Sequence, residues 1–404
     1  MRITAQGILF LAAAFPFLIP LVPFADTQPT FALFALLFAG LAILSSFDRR
    51  VDVRRSDMLF AAAIVIGGLL ALIASFAANR FDAGNVNRMI SFGLLLVAIA
   101  AGLLNRGLIS AYRVTTVLKI YAVFTAIYFT TNAAVERLII RSRSEEALSM
   151  LTAGGRGAAT LSPEPSFFAF QIFTIFMLTR LTAWHELTGR QRHVVQILTV
   201  ALLLSSLAGY GIVYAAIVVA LAGWRYMLSA VVLGGGALVV LAGSINLDAL
   251  RFVQLFASLA TSLSSDTLKI VDLSAAERLK SFSEYLAVFA AHPWFGDAFA
   301  YYGGGGLGSL PAAVGLYGLL LLLLFVSAIL VARTGFKMKL ALFAWFVLQY
   351  ISGPVGLPFV GLLIGMTIAH SKLGAFLDAI GWLRANRGAA PSPTDARRDA
   401  VAIG

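Results

Sequence analysis

Apolar residues in this chain come in blocks of roughly 17 to 22, the length of helix that crosses about 30 Å of hydrocarbon at about 1.5 Å per residue. No other feature restricts the fold as strongly. Backbone polar groups in lipid must find partners within the spanning element, so each block reads as a helix. The blocks fall near 7–25, 29–47, 58–77, 89–105, 114–133, 165–184, 194–208, 211–224, 227–245, 310–331, 340–353 and 355–370. Only 12% of the 404 residues are charged; an average soluble domain has about 25%, so too little polar surface is left to cover a water-soluble globule. The expected fold is an all-α polytopic membrane protein of about 12 transmembrane helices over residues 1–384, with a disordered tail over 385–404. Pro16, Pro20 and Pro23 suit an irregular first span, and no small-residue cleavage site marks it as a signal peptide. Ser205, Ser206, Gly209 and Gly211 fit either a tight turn between two spans or a bend in one.

The net charge of +11 would suggest nucleic acid in a soluble chain. No basic stripe interleaves with aromatic residues here, and Lys and Arg concentrate in cytoplasmic loops of membrane proteins. With the N-terminus inside, nineteen of the 30 basic residues fall in cytoplasmic segments, and both termini are cytoplasmic. Ten fall outside, against the bias. Arg80 and Arg88 lie in a short loop; the others lie in two larger periplasmic loops, about 134–164 and 246–309, and include Arg137, Arg141, Arg143, Arg156, Arg251 and Arg278. Cations placed against the orienting bias point to a function there.

The predicted spans carry no carboxylate near a centre, which argues against a proton- or sodium-coupled transporter. Lys119 is their only clear internal charge. Chemistry therefore belongs to the loops. The first loop ends in Gly154-Gly155-Arg156-Gly157, then Ser162-Pro163-Glu164-Pro165-Ser166-Phe167. Helix-start chemistry alone accounts for residues 162–165: Ser162 as N-cap, Pro163 at the first helical position, Glu164 on the helix dipole. It does not account for Arg156, whose planar fork among glycines suits a phosphate or pyrophosphate. A carboxylate nearby, Glu164, suits a general base on a sugar hydroxyl. In the second loop Ser274-Ala275-Ala276-Glu277 is a capping box that predicts a helix to about Ala291. Leu279, Phe282, Leu286 and Phe289 form its apolar stripe, with Arg278, Ser281 and Tyr285 on another face. The helix breaks at His292-Pro293-Trp294-Phe295-Gly296-Asp297, and Gly303 to Gly306 follow, a weak signal for an anion cradle.

At these residues the chain resembles the O-antigen polymerase and ligase family of bacterial envelope glycan transferases. The resemblance rests on the run at 162–167, on Arg278 with the His292-Pro293…Gly296 break after it, and on Val314-Gly315-Leu316-Tyr317-Gly318-Leu319-Leu320 opening the next span. It implies a fold like the lipid-linked-sugar (GT-C-type) transferases and O-antigen ligases, and glycosyl transfer at the periplasmic face of the bacterial inner membrane. The donor and acceptor would be lipid-linked oligosaccharides on undecaprenyl diphosphate, with membrane lipids and a chain-length regulator as further partners, and no metal, cofactor or nucleic acid. Arg156 and Arg278 would hold the donor pyrophosphate, with Arg143, Tyr285 and His292 beside it, and Glu164 and Arg278 would be catalytic. Ligases of the family have a His-Asn pair before the span that begins near 310; this chain has Gly306-Leu307-Gly308-Ser309 there, which favours a polymerase over a ligase. An exporter or flippase of lipid-linked glycan is the alternative of another class.

Overall fold

The computed structural model describes residues 5–16, 37–44, 55–79, 85–131, 158, 160–162, 165–206, 208–223, 283–300, 306–352 and 357–373. These are overwhelmingly helical, with no strand among them. The helices are α1 (Ala5–Ala14), α2 (Arg55–Ala78), α3 (Val86–Leu104), α4 (Ala111–Thr131), α5 (Pro165–Thr182), α6 (Gly189–Ser205), α7 (Gly209–Ala222), α8 (Ser309–Leu330), α9 (Phe336–Ser352) and α10 (Pro358–Ala369). Shorter helical pieces cover 37–44 and 283–291. The expected span at 227–245 lies outside the described residues, as does the tail at 385–404.

Three of these helices are both long and apolar enough to cross a membrane: Ser56–Ala78, Pro165–Thr182 and Ser309–Leu330. They are used differently. In the α5 window 83% of residues are buried, against 22% for α2, so α5 is the core of the bundle and α2 its rim. Leu70 and Ile73 on α2 are 60% and 63% exposed; a continuous apolar face of this kind calls for an apolar surround. The chain is thus an all-α membrane protein. Lys119 is exposed on α4 and does not enter the core.

Small residues set the closest helix pairing, between α3 and α10. A Cβ on Gly365 would stand 2.1 Å from the Ile99 carbonyl oxygen, one on Gly361 2.5 Å from the Ala98 Cβ, and one on Gly102 2.6 Å from the Leu362 oxygen. Gly361 and Gly365 are four apart and share a face, the small-residue spacing by which helices in lipid bring their backbones together. Residue numbers rise together along the contact, so α3 and α10 are parallel. Gly365→Ile should therefore cost about 3 kcal/mol or more, because the obstacle is backbone and cannot repack. A fall in melting temperature in detergent, absent in Gly93→Ala where a Cβ meets nothing within 4 Å, checks this.

Helix α6 ends at Ser205 and α7 begins at Gly209, and the two pack as separate helices. The Ser206 hydroxyl donates to the Leu203 carbonyl at 2.6 Å and accepts from the Ala208 N–H at 3.3 Å. Gly211 sits where a Cβ would overlap that hydroxyl. Deeper in the core, α1 stops at Ala14, and its carbonyl accepts from the Tyr121 hydroxyl and the Gln171 amide. Those donors stabilise a helix end that would otherwise leave a polar group unsatisfied among apolar side chains.

Two ends of the bundle follow from these pairings. One collects 105–113, 184–192, 331–339 and 370–373: Ala332 bridges to Ser371, the Arg333 N–H donates to the His370 oxygen at 3.1 Å, and the Ala111 N–H donates to the Glu186 carboxylate at 3.2 Å. The other collects 75–79, 85–88, 158, 160–162, 205–206, 208, 292–300, 306–316 and 349–351.

Candidate functional site

The second end holds the most elaborate polar structure among the described residues, and it starts from a defect in a helix. Within α8, Val314 (φ −129°, ψ 22°) and Gly315 (φ 58°, ψ −136°) leave helical geometry. Such a break frees carbonyls before it and N–H groups after it, and in an apolar interior each must be met. The Ala312 carbonyl accepts the Asp297 N–H at 2.8 Å, the Ala313 carbonyl accepts the Ser75 hydroxyl at 3.2 Å, and the Leu316 N–H reaches the Trp294 carbonyl at 3.4 Å. The turn at 292–300 thus fills the gap in α8. Contact is so close that a Cβ on Gly315 would lie 2.4 Å from the Trp294 carbonyl, and one on Gly296 2.4 Å from the Ala313 carbonyl carbon.

Helices α2 and α3 brace the turn from the other side. The Asn79 amide donates to the Gly296 carbonyl at 3.0 Å, and one Arg88 nitrogen donates to the Phe299 carbonyl at 2.8 Å and to Asn85 Oδ1 at 3.0 Å. Phe92 packs on Phe299 with ring centroids 5.7 Å apart. Held this way, Ala298 and Phe299 both take left-handed backbone conformations, φ 54° and 66°. A left-handed non-glycine pair costs on the order of 1–3 kcal/mol per residue and persists only where its surroundings impose it.

The turn has two edges. His292, Pro293, Trp294 and Phe295 are exposed, Trp294 by 69%, while Gly296 to Phe299 are buried. Asp297 is therefore a carboxyl facing inward beneath an exposed aromatic edge. Burial pushes it up to about 6, opposed by the Phe299 backbone N–H and by the positive fields of His292 and Arg88. A carboxyl poised near pH 6 at a braced turn is suited to exchanging a proton. Because the folded pKa lies above the unfolded 3.8, the contribution to stability is present below about pH 4 and is lost as pH rises through about 6, by at most ~3 kcal/mol. Asp297→Asn should remove that slope: the wild type should lose melting temperature between pH 4 and pH 7 relative to the variant.

Of the residues singled out from sequence, two lie in this region. Tyr285 is buried on the helical piece at 283–291, while Leu286, on the apolar stripe expected to lie against the spans or the bilayer surface, is 50% exposed. The inward face is centred on Tyr285, Val288 and Phe289, because the helix runs into a turn whose position is fixed by α8. His292 is exposed and its field reaches Asp297. Glu164, Arg143, Arg156 and Arg278 lie outside the described residues. The helix after the first loop is described from Pro165; Pro163 lies outside the described residues. Ser162 is buried and its hydroxyl donates to Gln171 Oε1 at 3.3 Å, a tie to the core of α5. Just before it, Thr160 is left-handed (φ 49°) and buried, and the Ala158 N–H donates to the Ser205 carbonyl at 2.9 Å.

Of the run Gly303 to Gly306 only Gly306 is described. The N–H groups of Leu307 and Gly308 donate to the last carbonyls of α9, from Gln349 and Tyr350, at 2.9 and 3.0 Å. A Cβ on Gly306 would overlap the Tyr350 carbonyl. Those donors cap a helix C-terminus. Among the described residues no group of three His, Asp or Glu side chains comes together.

Sequence reading missed Asp297, Arg88, Asn79 and Asn85 as one cluster. The signal available was Arg88, already set against the charge bias. No family model matches the chain, and no curated protein matches its sequence.

Proposed function

We propose that this protein is a polysaccharide polymerase of the bacterial cell envelope, joining oligosaccharide repeat units carried on undecaprenyl diphosphate at the periplasmic face of the inner membrane. It goes with a GT-C-like arrangement of about twelve spans, both termini cytoplasmic. The observation that carries the reading is the braced turn at 292–300, with Asp297 under it and Arg88 beside it. It stands at the end of the bundle that also holds the starts of α5 and α8, the helices that follow the basic segments 134–164 and 246–309 in the sequence. The helix directions support the orientation. The parallel pair α3 and α10, and the antiparallel pair α2 and α8 joined through Ser75 with Ala313 and Tyr317 with Ile64, run as the charge pattern requires.

In this reading Arg156 and Arg278 hold the donor pyrophosphate, with Arg143, Tyr285 and His292 near it. The acceptor hydroxyl oxygen bonds to the anomeric carbon, the bond from that carbon to the diphosphate oxygen breaks, and undecaprenyl diphosphate leaves with the electron pair. Glu164 takes the hydroxyl proton, and the two guanidinium groups balance charge on the leaving group, with no metal ion in the step. Deleting the gene should leave single repeat units in place of a ladder of long polysaccharide, and the wild-type gene should restore the ladder. Retention of the full ladder in the deletion strain would refute the reading.

A further inference from the structure

The opposite end of the bundle carries a second arrangement, independent of the proposed polymerase chemistry. Trp184 sits in the turn between α5 and α6, its ring edge-on to Phe176 at 6.1 Å. The Arg180 guanidinium carbon lies 4.2 Å from the centre of the indole ring, and that of Arg192 lies 5.8 Å from it. Arg192 is fixed further by its Nε, which donates to the Trp184 carbonyl at 3.1 Å. The turn itself is pinned by a capping box in which Thr188 and Gln191 satisfy each other's backbone N–H groups.

Two guanidinium groups at one ring repel each other, and such a pair persists more readily when an anion joins it. The acid of this turn does not serve. Glu186 accepts the Ala111 N–H and acts on Arg113 instead. Among the described residues the Arg180 side chain donates no hydrogen bond, and Arg192 uses only its Nε. A guanidinium held over a ring face keeps N–H donors that the ring does not use, and its planar fork meets two oxygens of a phosphate. Both side chains are half-buried, so a charge-assisted contact here is less screened than at an open surface.

We propose that Arg180 and Arg192, ordered by Trp184, form a binding site for a phosphate oxyanion of a phosphomonoester or phosphodiester. On the orientation given above, the site faces the cytoplasm. An anionic phospholipid headgroup and a soluble phosphate share this chemistry, and the test separates them.

The full-length protein, delipidated in neutral detergent, is titrated with inorganic phosphate at fixed ionic strength. In parallel it is reconstituted in nanodiscs of phosphatidylcholine with or without phosphatidylglycerol, and retained lipid is read by native mass spectrometry. Saturable phosphate binding identifies a soluble ligand, and selective retention of phosphatidylglycerol identifies a headgroup. Either should weaken roughly tenfold in Arg180→Gln and in Arg192→Gln, and nearly as much in Arg180→Lys, which keeps the charge but loses the fork. Arg190→Gln, an exposed basic residue on the same helix, should bind as the wild type does. Absence of binding in both arms overturns the proposal, as does an equal loss in Arg190→Gln. Each variant is first checked for an unchanged elution profile, and Arg192→Gln decides the matter if Arg180→Gln does not fold.

Discussion

Arg278→Ala, and separately Arg156→Ala, should abolish long polysaccharide while leaving the protein inserted in the membrane at wild-type level. A guanidinium that neutralises a departing diphosphate contributes mostly in the transition state. Removing such a donor typically costs on the order of 10²–10³ in rate, and polymer length amplifies the loss because every added unit repeats the step. Arg278→Lys should retain partial activity, since an ammonium keeps the charge without the bidentate contact. Gel analysis of extracted polysaccharide beside an immunoblot of the membrane fraction checks both parts. Full-length polymer from both alanine variants would remove the pyrophosphate assignment.

The largest structural effect is expected at Gly315. Its φ of 58° with ψ of −136° lies in a region that essentially only glycine occupies. An added Cβ would also stand 2.4 Å from the carbonyl carbon and oxygen of Trp294. Backbone strain and backbone overlap act together, so Gly315→Ala should destabilise by roughly 3 kcal/mol or more. The damage should be directional. To relieve the overlap the turn at 292–300 must withdraw from α8, breaking the bonds from Asp297 to Ala312 and from Leu316 to Trp294. Hydrogen exchange of the Asp297 and Leu316 amides should then accelerate more than that of α5, whose amides are remote from the break. Uniform acceleration would mean that the turn does not brace α8.

These two sites show where sequence was informative and where it was silent. Among the described residues the helices fall on apolar blocks, because lipid imposes its demand on every residue of a span and the signal is summed over about twenty positions. Reading the 206–211 stretch required tertiary contact: Ser206 and Gly211 suit a turn or a bend equally until α6 and α7 are seen side by side. The break in α8 left no trace in hydropathy, since Val314 and Gly315 are as apolar as their neighbours and a dihedral angle is not a transfer energy. Asp297 was visible only as one polar residue after a His-Pro break. Its burial comes from Ser75, Asn79 and Arg88, more than two hundred residues away in the chain. The burial of Tyr285 has the same origin, because the phase of that helix is set by the turn that α8 holds. Gly361 and Gly365 did carry a readable signal, four residues apart on an apolar segment, and α3 is the partner that this spacing alone does not name.

The most direct test of polymerase activity is polymer growth by the purified protein in liposomes supplied only with undecaprenyl-diphosphate-linked repeat units and no nucleotide sugar. The expected result is a ladder of products accompanied by release of one undecaprenyl diphosphate per bond formed, with neither produced by Arg278→Ala. Transbilayer movement of labelled repeat units with no new glycosidic bond and no released diphosphate would contradict the account and mark the protein as an exporter.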